Sequence, residues 1–292
     1  MRWLAVIAMC GCNSWFGLDQ AELPDSAVAP TPRCPDIGSN TVPRFADDLH
    51  QIPAQFCEGY AVGGDSAMAE CNGVPSRGPI DKALDQVMDG TTANYPRISP
   101  DGTRAILSSY NPVTYTNDIV EYEFTPAGPV QVRSFTPDPP SYYYGYQYST
   151  PSAGPDHRIV YLAYTYELVE LSDASGQWML KQRYPLSELG MSLYDMDQPA
   201  LSPDGLRLVF VSSGPVRQPE PPNGAGEGVP PPDPTYQAPV MYAERKSLED
   251  HFGTAVVLDS VPDLVQWPYM TADCGRIYFS ALNRVFYLEQ AY

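Results

Sequence analysis

An aspartate recurs in this sequence directly after a proline or an alanine, and its carboxylate is a candidate metal ligand. A repeated carboxylate could bind calcium, but these segments lack the alternating oxygen ligands of a calcium loop. Aspartate also caps tight turns, in which proline fixes φ and glycine accepts a positive φ. We therefore predict turns rather than metal sites at Asp101, Asp156, Asp204 and Asp273.

A candidate nucleophile is Ser66, because Gly64-Asp65-Ser66 is similar to the nucleophile block of GDS-type hydrolases. No Asp-x-x-His partner follows it, and His251 lies in a segment without a catalytic motif. The HExxH, GxSxG, phosphate-binding and dinucleotide-binding motifs do not occur. The sequence thus predicts no catalytic residue, no cofactor and no metal ligand. It leaves enzymatic activity open and favours a non-enzymatic role.

A run of tyrosines within residues 141–148 is the best candidate for a recognition surface. Exposed tyrosines combine rigid apolar area with a polar tip, which suits contacts with proteins or glycans. The alternative is that alternate tyrosines pack between sheets. The candidate residues are Tyr142, Tyr143, Tyr144, Tyr146 and Tyr148.

The N-terminus has one positive charge, Arg2, followed by a short apolar segment that ends at Gly11-Cys12. This layout is typical of a secretory signal peptide, and the apolar segment is too short to span a bilayer. Gly11-Cys12 resembles a bacterial lipobox, which implies that a lipid such as palmitate anchors the mature chain through Cys12. The alternative is an ordinary signal peptide that is cleaved elsewhere.

Residues 1–12 are therefore predicted to hold the signal peptide with its lipobox, and residues 13–40 a tether rich in proline and alanine. Asn13 follows the lipobox cysteine, whereas an aspartate there would resemble an inner-membrane retention signal. We expect a lipid-anchored protein of the bacterial cell envelope, with the outer membrane favoured.

Four cysteines remain once Cys10 and Cys12 are assigned to this N-terminal segment. An even number in an exported chain indicates two disulfides, for which three pairings exist. We favour Cys57 with Cys71, which are close in sequence, and Cys34 with Cys274. Zinc is the alternative, but no Cys-x-x-Cys occurs and the chain has only 3 histidines.

The chain of 292 residues is acidic, with a formal net charge of −18. Binding to a phosphate backbone needs clustered lysine and arginine, and no such cluster occurs. We therefore expect no nucleic-acid partner. The 32 prolines and 21 tyrosines favour many short strands and many loops.

Four segments align on a proline that is followed by the aspartate turn, and this repeat predicts the fold. The leading prolines are Pro96, Pro151, Pro199 and Pro268. Their spacing is near 50 residues once a proline- and glycine-rich insertion at 214–239 is set aside, and this period is typical of propeller blades. A short apolar strand follows each turn, and we expect it near the propeller axis. Further strands are predicted at 118–124, 130–135, 168–171, 178–184, 240–244 and 254–258.

These repeats resemble the WD40-like Pro-Asp repeats of the TolB-like propeller family. The segment 240–258, followed by 267–280, carries the resemblance most fully. His157 and Cys274 depart from it, because each stands where the repeat has glycine. The resemblance implies an all-β fold, a β-propeller of about four to five blades over residues 95–292.

The last repeat ends after two strands, so its outer strands must come from the region before Tyr95, which would close the ring. We expect residues 41–94 to form a disulfide-linked N-terminal region packed on the propeller, with a helix at 79–89. The expected function is binding of an envelope protein or glycan. The alternative is a hydrolase or lyase with its active site at the central channel.

Overall fold

The structure is a computed structural model. It describes residues 34–39, 41–87, 93–111, 116–136, 151–155, 158–163, 167–174, 176–191, 196–212 and 238–291. The predicted signal peptide, the predicted lipidation residue Cys12 and the tyrosine run lie outside these residues, as does almost all of the predicted insertion. None of the described segments forms a helix of the length and hydrophobicity needed to cross a bilayer.

The described residues form a five-bladed β-propeller, in which every blade is an antiparallel sheet of four strands. Blade 1 contains β2 (Cys57–Gly63), β3 (Ser66–Cys71), β4 (Val74–Pro79) and β5 (Gln86–Val87). Blade 2 contains β6 (Ala93–Ile98), β7 (Arg104–Asn111), β8 (Thr116–Thr125) and β9 (Gly128–Phe135). Blade 3 contains β10 (Ser152–Ala153), β11 (Ile159–Ala163), β12 (Glu167–Ala174) and β13 (Gln177–Pro185). Blade 4 contains β14 (Met196–Leu201), β15 (Arg207–Ser212), β16 (Val240–Glu244) and β17 (Val256–Val257). Blade 5 contains β18 (Gln266–Met270), β19 (Arg276–Ala281), β20 (Arg284–Glu289) and β1 (His50–Gln55).

The first strand of each blade surrounds the propeller axis. Strands β2, β6, β10, β14 and β18 each contact the next, and β18 contacts β2, so the ring is closed. The second strands, such as β15 and β19, are buried between neighbouring blades and supply much of the core. The apolar run after each turn, predicted near the axis, is the second strand from it. The proline-bearing strand before the turn is innermost.

The N-terminal strand closes the ring, as the sequence predicted. Strand β1 pairs with β20, the third strand of blade 5, through His50–Tyr287 and Gln51–Phe286. Both predicted disulfides are present, Cys34–Cys274 and Cys57–Cys71. The first fastens the segment before β1 to the turn of blade 5, and the second joins β2 to β3.

The region before Tyr95 differs from the prediction in two ways. Residues 57–87 form a complete blade rather than a separate region packed on the propeller. The helix predicted at 79–89 is wrong, because β4 ends at Pro79 and Gln86–Val87 pairs with β4 as the outer strand β5. The periodic apolar residues Ile80 and Leu84 pack on the core from the loop between these strands instead.

Candidate functional site

The propeller has two faces that differ in their chemistry. We call the end at which the innermost strands begin the mouth face. The opposite end is the turn face, which carries the aspartate turns, with the sequence Ser-Pro-Asp-Gly at 99–102 and 202–205. The alternation of antiparallel strands fixes which loops lie on each face.

The aspartates of the turn face stabilise turns, as predicted. In blade 4, Ser202 Oγ donates to Asp204 Oδ1 at 2.6 Å, and the Leu206 amide donates to the same oxygen at 3.0 Å. Blade 5 repeats this arrangement with Thr271 and Asp273 at 2.7 Å. Asp101 does the same in blade 2. Asp156 lies outside the described residues.

Neither Ser66 nor His251 lies in a catalytic arrangement. Arg77 Nη2 donates to Ser66 Oγ at 2.9 Å, and no histidine takes part in this contact. His251 Nδ1 contacts Glu188 Oε2 at the surface. Neither geometry is that of a serine activated by a general base.

Near the mouth face, the innermost strands contain a bulge that recurs from blade to blade. The pairing of these strands with their neighbours shifts register at this point in blades 1, 2, 4 and 5. Gly59, Tyr95, Gln198 and Trp267 have positive φ values of 70°, 57°, 52° and 56° there. Bulges redirect side chains, and left-handed backbone in residues other than glycine is strained and concentrates at functional sites.

The bulges bring two aromatic rings together at the axis. Tyr95 and Trp267 stack with ring centroids 4.4 Å apart and planes 22° from parallel. The Trp267 amide donates to Gln198 Oε1 at 2.5 Å, which joins blade 5 to blade 4. Trp267 is buried and Tyr95 is half-buried, so the stack forms a floor with its edge open to solvent.

Arg97 lies beneath this floor and is 2% exposed. Its Nη1 donates to the Gly59 carbonyl, and its guanidinium lies 5.5 Å from the Trp267 ring. Burial lowers the pKa of Arg97 to about 10, while its Nη2 has no partner among the described residues. The residue of blade 5 that is equivalent to Arg97 is Tyr269, whose hydroxyl donates to the Val62 carbonyl at 2.7 Å. Both side chains are buried on the innermost strands of their blades.

Two carboxylates of blade 1 lie beside the residues that form the aromatic floor. Glu58 and Glu70 are directly opposite each other on β2 and β3, next to the Cys57–Cys71 disulfide. The Tyr95 amide donates to Glu70 Oε2 at 2.8 Å. Burial raises the pKa of Glu70, the Tyr95 amide opposes this, and the charge of Glu58 adds to the increase.

Asp197 contributes a further carboxylate from blade 4. It is solvent-exposed, yet the surrounding protein raises its pKa by desolvation, which its contact with the Gln198 amide only partly offsets. A group that is both accessible and desolvated lies in a recess. The carboxylates of the mouth face can therefore attract cations. In the described part of the chain, no group of three or more acidic, histidine or cysteine side chains is arranged to hold a metal.

The sequence did not identify the mouth carboxylates or the aromatic floor. A signal was present, because Tyr95, Gln198 and Trp267 each precede a repeat proline, Pro96, Pro199 or Pro268. The pairing of Cys57 with Cys71 also implies that Glu58 and Glu70 are opposed.

The predicted tyrosine surface and lipidation residue lie outside the described residues, so they remain predictions. The tyrosine run connects the end of β9 to the start of β10, and both ends of this connection are on the mouth face. The proline-rich insertion connects β15 to β16, also at the mouth face.

Solved structures share the propeller fold with this chain. A TolB protein from Agrobacterium tumefaciens is 15% identical over 77% of this chain and 69% of its own, with a TM-score of 0.45. TolB from Acinetobacter baumannii is 11% identical over 80% of this chain and 54% of its own, with a TM-score of 0.39. Glutaminyl cyclase from Myxococcus xanthus is 9% identical over 84% of this chain and 96% of its own, with a TM-score of 0.49.

These likenesses concern the fold alone. The chain spans little more than half of the Acinetobacter protein, and the similar structures include both TolB proteins and an enzyme. The sequence matches no protein-family model and no curated protein.

Proposed function

We propose that this protein is a lipid-anchored envelope protein whose β-propeller binds an envelope protein or glycan through its mouth face. One observation carries the binding role: the carboxylates of Glu58, Glu70 and Asp197 lie beside the residues that hold the Tyr95–Trp267 stack. A bulge recurs at this surface in four blades, and in three of them it holds a residue other than glycine at positive φ, which favours a preorganised recognition site.

The attachment of the N-terminal segment supports this orientation. Cys34 is bonded to Cys274 in the blade 5 turn, and Arg207 Nη2 donates to the Pro35 carbonyl at 3.1 Å. The Gly38 amide donates to Glu244 Oε1 at 2.7 Å. All three contacts lie on the turn face. A tether that ends at Cys34 therefore leaves the opposite, mouth face free for a partner.

The anchor is tested by the substitution Cys12→Ser in the full chain. We expect the protein to move from the membrane fraction to the soluble fraction. Cys10→Ser is the matched control and should leave the membrane fraction unchanged. Unaltered fractionation of Cys12→Ser would contradict the lipid anchor.

The binding role is tested with the soluble Cys12→Ser protein and isolated envelopes of the host bacterium. We expect saturable cosedimentation that Leu282→Asp on the mouth face abolishes. Met179→Asp, at an exposed apolar position near the turn-face hairpin of blade 3, should have no effect. An equal loss of cosedimentation in both variants, or the absence of saturable binding, would contradict the proposal.

A hydrolase or lyase is the second candidate, and the raised pKa values of Glu70 and Asp197 favour it. Carboxyl groups with raised pKa values can serve as general acids near neutral pH. Ester, peptide and glycoside probes test this candidate. Turnover that both Glu70→Gln and Asp197→Asn abolish, with the fold intact, would support it over pure binding.

A further inference from the structure

Three large apolar side chains protrude from the mouth face. Leu282 is 95% exposed, Leu264 is 65% exposed and Phe56 is 60% exposed. Strand register places them together. Gln266 pairs with Ser280, which sets Leu264 opposite Leu282, and Gln55 pairs with Arg284, which brings Phe56 to the same turn. We call Phe56, Leu264 and Leu282 the apolar ridge.

The backbone of the apolar ridge is strained at each of its three members. Phe56, Leu264 and Leu282 have φ values of 56°, 62° and 51°. Bulky side chains pay a steric cost in this region, which glycine avoids. Since the side chains are also exposed, burial in the folded monomer does not offset the cost. Packing within the folded monomer therefore does not account for these residues, and an exposed apolar cluster of this kind is typical of a contact surface.

Acidic side chains lie beside the apolar ridge. Glu58 follows Phe56 by two residues, and the Asn72 amide donates to the Phe56 carbonyl at 2.9 Å, which brings the Glu70 strand alongside. Burial raises the pKa of Glu70, and the hydrogen bond from the Tyr95 amide lowers it. Repulsion from the charge of Glu58, directly opposite on β2, raises the pKa further. A cation between these carboxylates would relieve that repulsion.

The nearby basic residue Arg284 does not supply this cation. It follows the Leu282-Asn283 turn, and its Nη1 donates to Gln51 Oε1 at 3.4 Å, on the outer strand β1. Exposed Asp263 precedes Leu264 and adds further negative charge at the ridge. Within the described part of the chain, the ridge and its surroundings therefore combine apolar area with carboxylates that form no ion pair.

We propose that a cationic, apolar segment of a partner protein docks on the mouth face. Its aliphatic or aromatic side chains cover the apolar ridge, and one lysine or arginine lies between Glu58 and Glu70. This inference rests on the proposed binding function and specifies the partner. Charge complementarity favours such a segment.

The other occupants fit the same surface less well. The acidic residues and the net charge of −18 disfavour an anionic lipid surface. A glycan would stack on exposed aromatic faces, but two of the three ridge side chains are leucines and Trp267 is buried. A protein segment can contact both leucines and carboxylates.

Photocrosslinking of the full, anchored chain on intact cells tests this proposal. A benzophenone amino acid replaces Leu282 or Leu264, and a matched control carries it at Met179, which is 57% exposed on blade 3. Adducts are identified by mass spectrometry. We expect protein adducts at both ridge positions and not at the control, in peptides with lysine or arginine close to the crosslinked apolar residue.

Charge dependence provides the second readout. Glu58→Gln with Glu70→Gln should lower the adduct yield about fivefold, and 500 mM salt applied to isolated envelopes should act in the same direction. Thermal unfolding of the variant checks that it remains folded.

Adducts on glycan, on lipid, on a second copy of this chain or on acidic peptides would overturn the inference. So would a yield that is independent of charge. In those cases the mouth face would still be a binding surface. No adduct above the Met179 control would contradict the proposed function as well.

Discussion

The guanidinium of Arg245 forms a buried ion pair with the carboxylate of Glu170, with Nη1 2.6 Å from Oε2, and this pair joins blade 4 to blade 3. Tyr184 also donates to Oε2 at 2.6 Å, and Arg158 donates to Oε1 at 3.0 Å. Both members of the pair are 0% exposed, so the network satisfies charges that water cannot reach.

Removal of one charge from this pair should destabilise the propeller strongly. We expect Glu170→Gln to lower the free energy of unfolding by about 3–5 kcal/mol, because the Arg245 charge would remain buried without its counter-ion. Urea unfolding measures this change. The double variant Glu170→Met with Arg245→Met should lose less free energy of unfolding than the single variant, because neither member of the pair is then left as a buried, unpaired charge. A larger loss in the double variant would contradict this account.

The same carboxylate should contribute to acid unfolding. Burial acts to raise the pKa of Glu170, but the hydrogen bonds and charge of Arg245, with Tyr184 and Arg158, outweigh burial and lower it. A lowered folded-state pKa means that the ion pair stabilises the protein above the unfolded-state pKa of about 4.3. This contribution is lost as the pH falls through the lower, folded-state value. The stability difference between the native protein and Glu170→Gln should therefore be constant near neutral pH and shrink below about pH 4. A difference that stays constant down to pH 2 would exclude this linkage.

The apolar ridge predicts a stabilising substitution. Leu282 has a φ of 51° and is 95% exposed, so Leu282→Gly removes strain and almost no packing. We expect the free energy of unfolding to increase by about 1 kcal/mol. Val130→Gly is the control, because Val130 is 50% exposed in strand β9 and glycine weakens a strand. Destabilisation by Leu282→Gly in urea unfolding would show that the side chain supports the fold.

The propeller itself could be predicted from the sequence because its repeat is local. The Ser-Pro-Asp-Gly turns and their flanking strands depend on contacts within a few residues, as the hydrogen bonds of Ser202 and Asp204 illustrate. Blade 1 was missed because its first turn is Gly64-Asp65 and carries no repeat proline. The apolar spacing of Ile80 and Leu84 suggested a helix, but those residues pack on the core from a loop.

The mouth face was not predicted because it depends on neighbours from different blades. Tyr95 and Trp267 stack across a sequence separation that only ring closure brings together. The exposure of Leu282 likewise reflects its hairpin rather than its local pattern. In contrast, both disulfides were predicted, because four cysteines allow few pairings.

The two disulfides should contribute unequally to stability. Cys34–Cys274 spans 240 residues and Cys57–Cys71 spans 14, so chain entropy assigns about 5 kcal/mol to the first and about 3 kcal/mol to the second. We therefore expect Cys34→Ser with Cys274→Ser to lower the free energy of unfolding more than Cys57→Ser with Cys71→Ser. Guanidinium unfolding of the oxidised proteins compares them. The reverse order would indicate that packing around Cys57 and Cys71 outweighs the entropy of the longer loop.

The tyrosine run provides a test of recognition that is separate from stability. The connection that carries it leaves β9 and enters β10 on the mouth face, the face of the proposed docking surface. If its tyrosines serve recognition, Tyr142→Ser with Tyr144→Ser should weaken envelope binding about tenfold and leave the unfolding midpoint unchanged. If they pack between blades, the midpoint should fall instead. Tyr161→Ser is the reference for a packed tyrosine, since Tyr161 is buried between blades 2 and 3 beside Phe135. A fall in the unfolding midpoint as large as that of Tyr161→Ser, with no separate loss of envelope binding, would assign the tyrosine run to packing.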